Sequence, residues 1–591
     1  MALHKHLLND ASTLVIDSLQ GLVQVNHQLS LDVPQKVVYR SKVDKTKVQI
    51  ICGGGAGHEP SHAGFVGTGM LSAAVSGNVF ASPNPTQVRK GIELVDNDKG
   101  TIIIVKNYTG DILNFGLAKE QFAAQHADKA GQVKFLVVGD DVAVGKSQGS
   151  IVGRRGLAGV CLVYKVAGAL AEQGGSLDEV FKVAEYTAAN VGTIGVGLEH
   201  CHVPGTAVGT SHLKDIEVEI GMGIHNEPGN KRVPLGRLDD LTSQLIELVT
   251  NTADSDRGFL RFENDGKDEV VLLVNNLGGM SELELSGVVS SAKKVLEDRK
   301  ITAVRVISGS FMTSLNMPGF SISLLLLPRG STSAVSKDQL ISLLDAKAET
   351  PGWKWSSPSS PPALQGQQTS ATPQQSAPST SSHSALKASN PAQFVASIEK
   401  AAKAVIAAEP EITRMDTIAG DGDCGLTLRA GATAVLEALK NGKISGEDII
   451  GTAVEVSRIG QENMDGTSGA LYSIYFAALA QSLQAAATQA QASTATPQIW
   501  TDALKAALDR LYTYTRARPP SRTLVDPLAA FTDEISKGLS VATEAASKAA
   551  VATKDIEAKA GRSAYVDRTL LEKEKVPDPG AYGIKTILEA L

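Results

Sequence analysis

The densest chemistry in the chain lies in one turn. Asp416-Thr-Ile-Ala-Gly-Asp421-Gly-Asp423-Cys424-Gly425 puts three carboxylates within eight residues, among glycines that allow a sharp bend. Carboxylates crowded this way repel one another unless a cation compensates, and magnesium prefers their hard oxygens together with those of phosphate. The same residues also read as a solvated acidic turn or a calcium loop, although the EF-hand form would need a Glu at its twelfth position and has none. Three further motifs follow. In Met464-Asp465-Gly466-Thr467-Ser468-Gly469-Ala470, Thr467 and Ser468 open a helical segment, where their hydroxyl and N–H groups can hold phosphate or cap the helix. Arg522-Thr523-Leu524-Val525-Asp526-Pro527 offers a guanidinium for charge-assisted contacts, and Val576-Pro577-Asp578-Pro579-Gly580 a tight turn. Each motif taken singly is explained by a cap or an ordinary turn. Joined to the three aspartates, they favour a magnesium–nucleotide site.

A second set of reactive residues lies in the first half. Cys52-Gly-Gly-Gly55-Ala56-Gly57-His58-Glu59-Pro60 follows the apolar run KVQII, and its glycines let backbone approach an oxygen-rich ligand. The spacing is not that of a dinucleotide-binding GxGxxG loop, and a tight strand-to-helix turn accounts for the glycines equally well. Lys106-Asn107-Tyr108-Thr109-Gly110-Asp111 comes directly after TIIIV, at the carboxyl end of an expected strand, where α/β sheets bind ligands. Gly221-Met222-Gly223-Ile224-His225-Asn226-Glu227-Pro228 places a histidine beside a Glu-Pro that echoes His58-Glu59-Pro60. Gly145-Lys146-Ser147 resembles the end of a Walker A loop but is missing the earlier glycine at position 140, which is Asp, and reads as a loop.

Two kinds of framework must hold these motifs. Before Trp355, β-branched runs (KVQIIC, TIIIVKN, VKFLVVG, EVVLLVNN, AVRVIS) alternate with helical segments such as Leu157–Gln173 and Ser281–Asp298, which predicts α/β architecture. After about Asn390 the chain is rich in Ala, Leu, Glu and Lys. Ala392–Ala408, Leu426–Lys440, Gly469–Ala487 and Asp502–Leu511 read as helices, so this half is expected to be all-α. Residues 356–390, SSPSSPPALQGQQTSATPQQSAPSTSSHSALKASN, are almost free of large apolar side chains and read as a flexible linker. The expected domains are 1–355 and 391–591. With 591 residues, 42% of them apolar, the chain can bury more than one core. Its net charge of −7 gives no electrostatic case for nucleic acid or anionic membrane, which leaves small molecules as partners. The four cysteines, Cys52, Cys161, Cys201 and Cys424, form no CxxC pair, and the first residues have no signal-peptide core, so a cytoplasmic location is expected.

GGGAGHEPSHAGFVGTGML, KNYTGD and GMGIHNEPG resemble the substrate domain of dihydroxyacetone kinases, and GDGDCG, GTSGALY, RTLVDPL and PDPG resemble their ATP domain. The motifs occur in the same order as in the single-chain, ATP-dependent form and cover nearly everything but the linker. The resemblance implies a substrate domain of two α/β subdomains followed by a barrel of helices. It implies that Gly55, Ala56, Gly57, His58, Lys106 and Asp111 contact dihydroxyacetone, that His225 captures its carbonyl as a hemiaminal, that Asp111 is general base, and that His58 orients substrate or shuttles a proton. It further implies that Asp416, Asp421 and Asp423 bind magnesium. Asp421, Gly422, Asp423, Cys424, Thr467, Ser468, Arg522, Thr523, Asp578, Pro579 and Gly580 would hold ATP. Cys424 stands where phosphotransferase-linked bacterial subunits have His, Met464-Asp465-Gly466 replaces a commoner Met-Gly-Gly, and Pro519-Pro520-Ser521 replaces a frequent Gly-Asp. No histidine follows His383, so the ATP half must work with carboxylates and metal.

The expected activity is phosphorylation of dihydroxyacetone, and of glyceraldehyde, by a homodimer with crossed domains. Two alternatives stand beside it: a lyase activity splitting FAD to cyclic FMN at the magnesium site, and a non-catalytic regulator that senses dihydroxyacetone.

Overall fold

In a computed structural model of the chain, the described residues are 4–207, 211–330, 335–354, 385–464, 466–560, 563, 566 and 568–591, with side chains 150–152 left aside. The chain divides into two compact units, residues 1–371 and 372–591. Of the expected linker, residues 356–384 lie outside the described residues. Its last residues belong to the second unit: Leu386 is fully buried, its carbonyl accepts from Ile449 N–H at 2.9 Å, and Lys387 bridges to Thr494. Ala388 is buried in the same core and its N–H donates to the Gly446 carbonyl at 2.8 Å, so two apolar anchors fix a stretch whose composition otherwise reads as a linker.

The first unit holds two sheets. Strands β1 (Leu29–Asp32), β2 (Val37–Arg40), β3 (Gln49–Ala56), β4 (Ala73–Val79), β5 (Thr101–Lys106) and β6 (Val133–Val138) are ordered β1-β2-β4-β3-β5-β6. Pairing is parallel from β4 through β3 and β5 to β6, and antiparallel at the β1–β2 edge. Strands β7 (Val191–Gly197), β8 (Glu217–Ile220), β9 (Lys231–Pro234), β10 (Glu269–Asn276), β11 (Thr302–Gly309) and β12 (Gly319–Leu326) are ordered β11-β10-β12-β7-β8-β9. Alternation assigns the faces. Ile50, Cys52, Ile102 and Ile104 point into a layer shared with Val271, Leu273 and the helix Val160–Glu172, while Ile51, Ile103 and Val105 pack outward on Phe115 and Val88. On the second sheet, Val270, Leu272 and Val274 pack outward on Leu245 and Leu296. Covered on both faces, these strands read as continuous apolar runs.

The five strands expected from such runs all form. The central strands β4, β7 and β12 went unread because Gly, Ser and Ala make up much of their length. Small residues there let neighbouring elements approach: a methyl group on Gly197 would lie 2.6 Å from Met222 Sδ. Lys146 and Ser147 open a short helix, Lys146–Val152, and Asp256 Oδ1 accepts from Ser147 N–H at 2.8 Å. A carboxylate thus occupies the place a phosphate would need, so this is no Walker loop.

Regular structure in the second unit, among the described residues, is helical. The helices Pro391–Ala419, Cys424–Lys440, Ile449–Asn463, Gly466–Ala490, Pro497–Leu511, Val525–Glu534, Leu539–Ala552, Arg568–Glu574 and Pro579–Ala590 ring an apolar cavity of about 730 Å³ lined by Leu428, Tyr475, Trp500 and Phe531. The first helix runs on past the expected end at Ala408. Pro410 lies on its exposed face, where water can take the carbonyl that the missing N–H leaves open. No helix among the described residues is long and apolar enough to cross a membrane.

Candidate active site

Strands β3 and β5 end side by side, and their carboxyl ends deliver the first reactive groups. Lys106 is the last residue of β5, fully buried, and its Nζ has no hydrogen bond to any described residue. Burial lowers its pKa, and the Asp111 carboxylate opposes that. Asp111 sits in the first turn of the helix Thr109–Gln125, where it is 3% exposed. Burial raises its pKa, while Lys106 and a hydrogen bond from Ser82 pull it down. Its Oδ1 is also without a hydrogen-bond partner. A buried ammonium and carboxylate left with open valences are costly unless a ligand completes them.

The Gly-rich segment turns out of β3. Register with β4 shifts between Gly54 and Ala56, so Gly55 is unmatched in the ladder, and it packs so close to the next segment that a Cβ would lie 2.7 Å from Ala81 N. The Ala56 carbonyl accepts from Phe80 N–H, and Gly57 N–H donates to the Glu59 carboxylate at 3.0 Å. Gly57 has φ +102° and faces Phe80, which no L side chain would permit, since a Cβ would lie 2.7 Å from that ring.

His58 follows this turn, and its neighbours come from the second sheet. The β11–β12 loop holds it: Nδ1 lies 2.8 Å from the Thr313 carbonyl, Thr313 N–H donates to His58 O, and Thr313 Oγ1 donates to Glu59 O. His225 comes from the turn after β8. Glu227 staples that turn, accepting from His225 N–H at 2.8 Å and facing His225 Nδ1 at 2.9 Å. Asn226, at φ +61°, locks the turn to Cys201 by hydrogen bonds in both directions. The two histidines meet at 3.0 Å, Nε2 to Nε2. Phe80 stacks on His58, and Phe80 and Tyr108 meet His225 edge-on at 5.0 and 4.7 Å between centroids.

Partners fix the tautomers. A carbonyl only accepts, so His58 carries a proton on Nδ1. Burial resists charge at Glu227, but the hydrogen bond and charge of His225, its backbone N–H and Arg155 hold that carboxyl down at about 2. His225 therefore carries a proton on Nδ1 as well. The facing Nε2 atoms need one proton between them, because two bare lone pairs at 3.0 Å would repel. Burial and the charges of Lys106 and His225 push the His58 pKa well below the ordinary value.

In the helical unit the acidic turn is closed at its base. Asp416, 4% exposed within the first helix, accepts Cys424 N–H at 2.9 Å. Asp421 and Asp423 are exposed, and carboxylate oxygens of all three residues lie within 4.8 Å of one another. Gly422, at φ +86°, makes the bend between them. This donor set of hard oxygens fits a divalent cation. Burial and the charges of Asp416 and Asp578 push the Cys424 thiol up to about 12, and Ser468 hydrogen-bonds it. That contact joins the acidic turn to the start of the helix Gly466–Ala490, where Thr467 is exposed.

The Arg522 side chain is buried; Nε donates to the Thr553 carbonyl at 3.1 Å and Nη2 to the Val576 carbonyl at 2.8 Å, while Nη1 has no hydrogen bond to any described residue. These bonds make it an anchor for the 576–580 turn. Thr523 N–H and Oγ1 are turned to Asp526. Asp578 caps the last helix, accepting from Ala581 N–H, with Pro579 following at the first helical position and Gly580 against Leu524. Glu227, Thr313 and Phe80 are the site residues that sequence reasoning gave no role. Glu227 carried a signal, two residues from His225. Thr313 carried none, being 255 residues from the histidine it holds.

Residues 20–352 match the Dak1 domain family, and residues 418–591 match the DAK2 domain family. The dihydroxyacetone kinase of Pichia angusta is 41% identical, across 98% of this chain and 97% of the relative. The triokinase/FMN cyclase of Homo sapiens is 36% identical, across 99% and 98%. The crystal structure of the dihydroxyacetone kinase from C. freundii in complex with AMP-PNP and Mg2+ matches with TM-score 0.62 and 28% identity, over 100% of this chain and 99% of that one. With both domains present in order and full-length relatives above one-third identity, the chain belongs to the dihydroxyacetone kinase family.

Proposed function

We propose that this chain transfers the γ-phosphoryl group of ATP to dihydroxyacetone, holding the ketone on His225. The observation that carries this reading is the His58–His225 pair beside Lys106 Nζ and Asp111 Oδ1, two buried atoms with no hydrogen-bond partner among the described residues. The shared proton, which rests on His225 opposite Glu227 because burial disfavours charge on His58, moves to His58; the freed His225 Nε2 forms a bond to the carbonyl carbon, the C=O π bond opens, and that proton passes from His58 to the carbonyl oxygen. The imidazolium left on His225 keeps its Nδ1 proton against Glu227. Net charge is unchanged, so no ion is created in a buried site. A hydroxyl oxygen then bonds to the γ-phosphorus as the bond to ADP breaks, its proton passes to Asp111, and Lys106 offsets the developing charge. A substrate without a carbonyl, such as glycerol, cannot be captured.

Asp416, Asp421 and Asp423 would hold magnesium, which when bound neutralises phosphate charge. Thr467, Ser468, Arg522, Thr523 and the Asp578–Gly580 turn would hold the nucleotide, with Arg522 also anchoring that turn. The two chemistries belong to different units, so docking of the units, within one chain or across a homodimer, is part of the proposal. Four free, buried cysteines support a cytoplasmic setting. An ADP-release assay with dihydroxyacetone, glyceraldehyde and glycerol tests the reading: turnover with the first two and none with glycerol is expected, and turnover with glycerol would refute carbonyl capture.

The name of the human relative favours a second activity, release of cyclic FMN from FAD at the same acidic site. Incubation with FAD and Mn²⁺ tests it, and absence of the cyclic product removes it.

A further inference from the structure

Behind the paired histidines lies a third one that the mechanism above leaves unused. His62 is 4% exposed. Its Nδ1 lies 3.0 Å from Tyr164 Oη, and Tyr164 Oη lies 2.6 Å from Cys52 Sγ. Its other nitrogen, Nε2, is buried and has no hydrogen bond to any described residue. Gly54 shows where that nitrogen points. A methyl group on Gly54 would lie 3.2 Å from His62 Nε2 and 3.3 Å from Asp111 Oδ2. The two side chains therefore flank one small space, kept open because residue 54 has no side chain. An open nitrogen and a carboxylate facing the same buried space define a place for an oxygen.

We propose that His62 is a further substrate-positioning group, whose Nε2–H donates to the hydroxyl that Asp111 deprotonates. This inference rests on the proposed kinase reading. The tautomer follows from the neighbours. A bare lone pair on Nε2 would face Asp111 Oδ2 across the gap, so the proton belongs on Nε2, and Tyr164 O–H donates to Nδ1 while the Cys52 thiol donates to Tyr164 Oη. Burial supports neutral forms throughout, raising the thiol to about 12, raising Tyr164 and lowering His62. The titratable groups facing His62 are Tyr164 and Cys52 at Nδ1 and Asp111 across from Nε2, with Lys106 and His58 close enough to act on it by charge. The hydroxyl would thus lie between a donor and its base, oriented before ATP arrives. A three-carbon hydroxyketone fixed at its carbonyl by His225 would be held at its hydroxyl end as well.

The test compares His62→Leu, His62→Gln and Tyr164→Phe in the full chain. His62→Leu should lower kcat for dihydroxyacetone at least tenfold with the KM for ATP unchanged, and move the acid limb of the kcat–pH profile upward, because Asp111 and its hydroxyl lose a donor. His62→Gln, which restores an N–H donor, should recover most of the rate. A folded His62→Leu protein with wild-type kcat and pH profile overturns the inference. Should His62→Leu not fold, Tyr164→Phe leaves the imidazole in place and removes only its proton lock; a several-fold loss of kcat is expected, and wild-type kcat and pH profile overturn the proposal. Calorimetric titration with dihydroxyacetone separates this failure from that of the kinase reading. A wild-type chain that binds the triose without phosphorylating it refutes the kinase, and a tenfold affinity loss in His62→Leu then still supports His62. A wild-type chain that does neither overturns both.

Discussion

His58 Nε2 stands 3.0 Å from His225 Nε2, although the two residues are 167 positions apart and follow strands of different sheets. Each ring has its Nδ1 proton committed, one to the Thr313 carbonyl and the other to Glu227, so both present the same nitrogen to the shared space. The pair can pass one proton to a carbonyl oxygen as one of its members attacks the carbon. The His225 side chain is 20% exposed and His58 is fully buried, which puts the nucleophile at the mouth and the proton donor behind it.

Replacing His225 with Ala should abolish phosphorylation of dihydroxyacetone and its tight binding. ATP binding, measured by calorimetry, should be unaffected. His58→Ala should retain binding but lose about 10²–10⁴-fold in kcat, the range for removal of a proton-transfer group. Undiminished turnover in either variant contradicts its role.

Glu227→Gln separates charge from hydrogen bonding. Burial opposes ionisation, but the hydrogen bonds and charge of His225 together with Arg155 hold the folded carboxyl down at about 2, below the ordinary 4.5 of a glutamate. A depressed carboxylate contributes stability above its unfolded pKa and loses it as pH falls through the folded one. The variant should therefore be less stable than wild type at pH 7, by about 1–2 kcal/mol once partial exposure is allowed for, and the gap should close between about pH 4.5 and pH 2. Urea melts across that range measure it. A constant gap would show that charge is not the cause.

Asp111 should set the acid limb of the kcat profile. Burial raises its carboxyl, with Lys106 and Ser82 opposing, so the limb should lie above the ordinary aspartate range. Asp111→Asn should lower kcat by at least about 10²-fold and remove the limb.

Asp421→Asn and Asp423→Asn should raise the magnesium concentration needed for half-maximal rate at least tenfold, while dihydroxyacetone binding stays at the wild-type value. Their exposure makes large folding effects unexpected. Loss of triose binding in these variants would mean that the acidic turn serves the substrate unit instead.

Asp578→Asn tests the cap of the last helix. Burial raises the Asp578 carboxyl to about 6, with Ala581 N–H and Arg522 opposing. A raised carboxyl binds its proton more tightly when folded, so stability falls as pH rises from about 4 to about 6. Asparagine keeps an acceptor for Ala581 N–H without that charge. The variant should be more stable than wild type at pH 8, by up to about 2–3 kcal/mol, and equal to it near pH 4. Thermal melts at the two pH values decide the point.

Parts of the fold differ in how openly the chain announces them. Strands covered on both faces, such as β5 and β10, carry unbroken apolar runs and are legible. Strands β7 and β12 carry Gly and Ser where neighbours press close, so packing demands erase the apolar signal there. The helix Glu282–Asp298 begins one residue after the Ser281 expected to open it, because Ser281 is its N-cap and forms a capping box with Glu284. Arg522 reads as a phosphate ligand by type, and only the fold shows that two of its nitrogens also bind the Thr553 and Val576 carbonyls.

By itself the sequence determined which chemistry the chain carries: the three aspartates, the Lys106–Asp111 segment, both histidine motifs, and their division between an α/β and a helical half. Local spacing suffices for that, since each motif is a few residues long and its turn is written in glycines. Only the tertiary structure decided that His225 faces His58, that Thr313 and Glu227 fix their protons, and that His62 opens onto Asp111. Those relationships join strand ends and loops far apart in the chain, and they follow from the order of strands and the packing of two sheets on one buried layer.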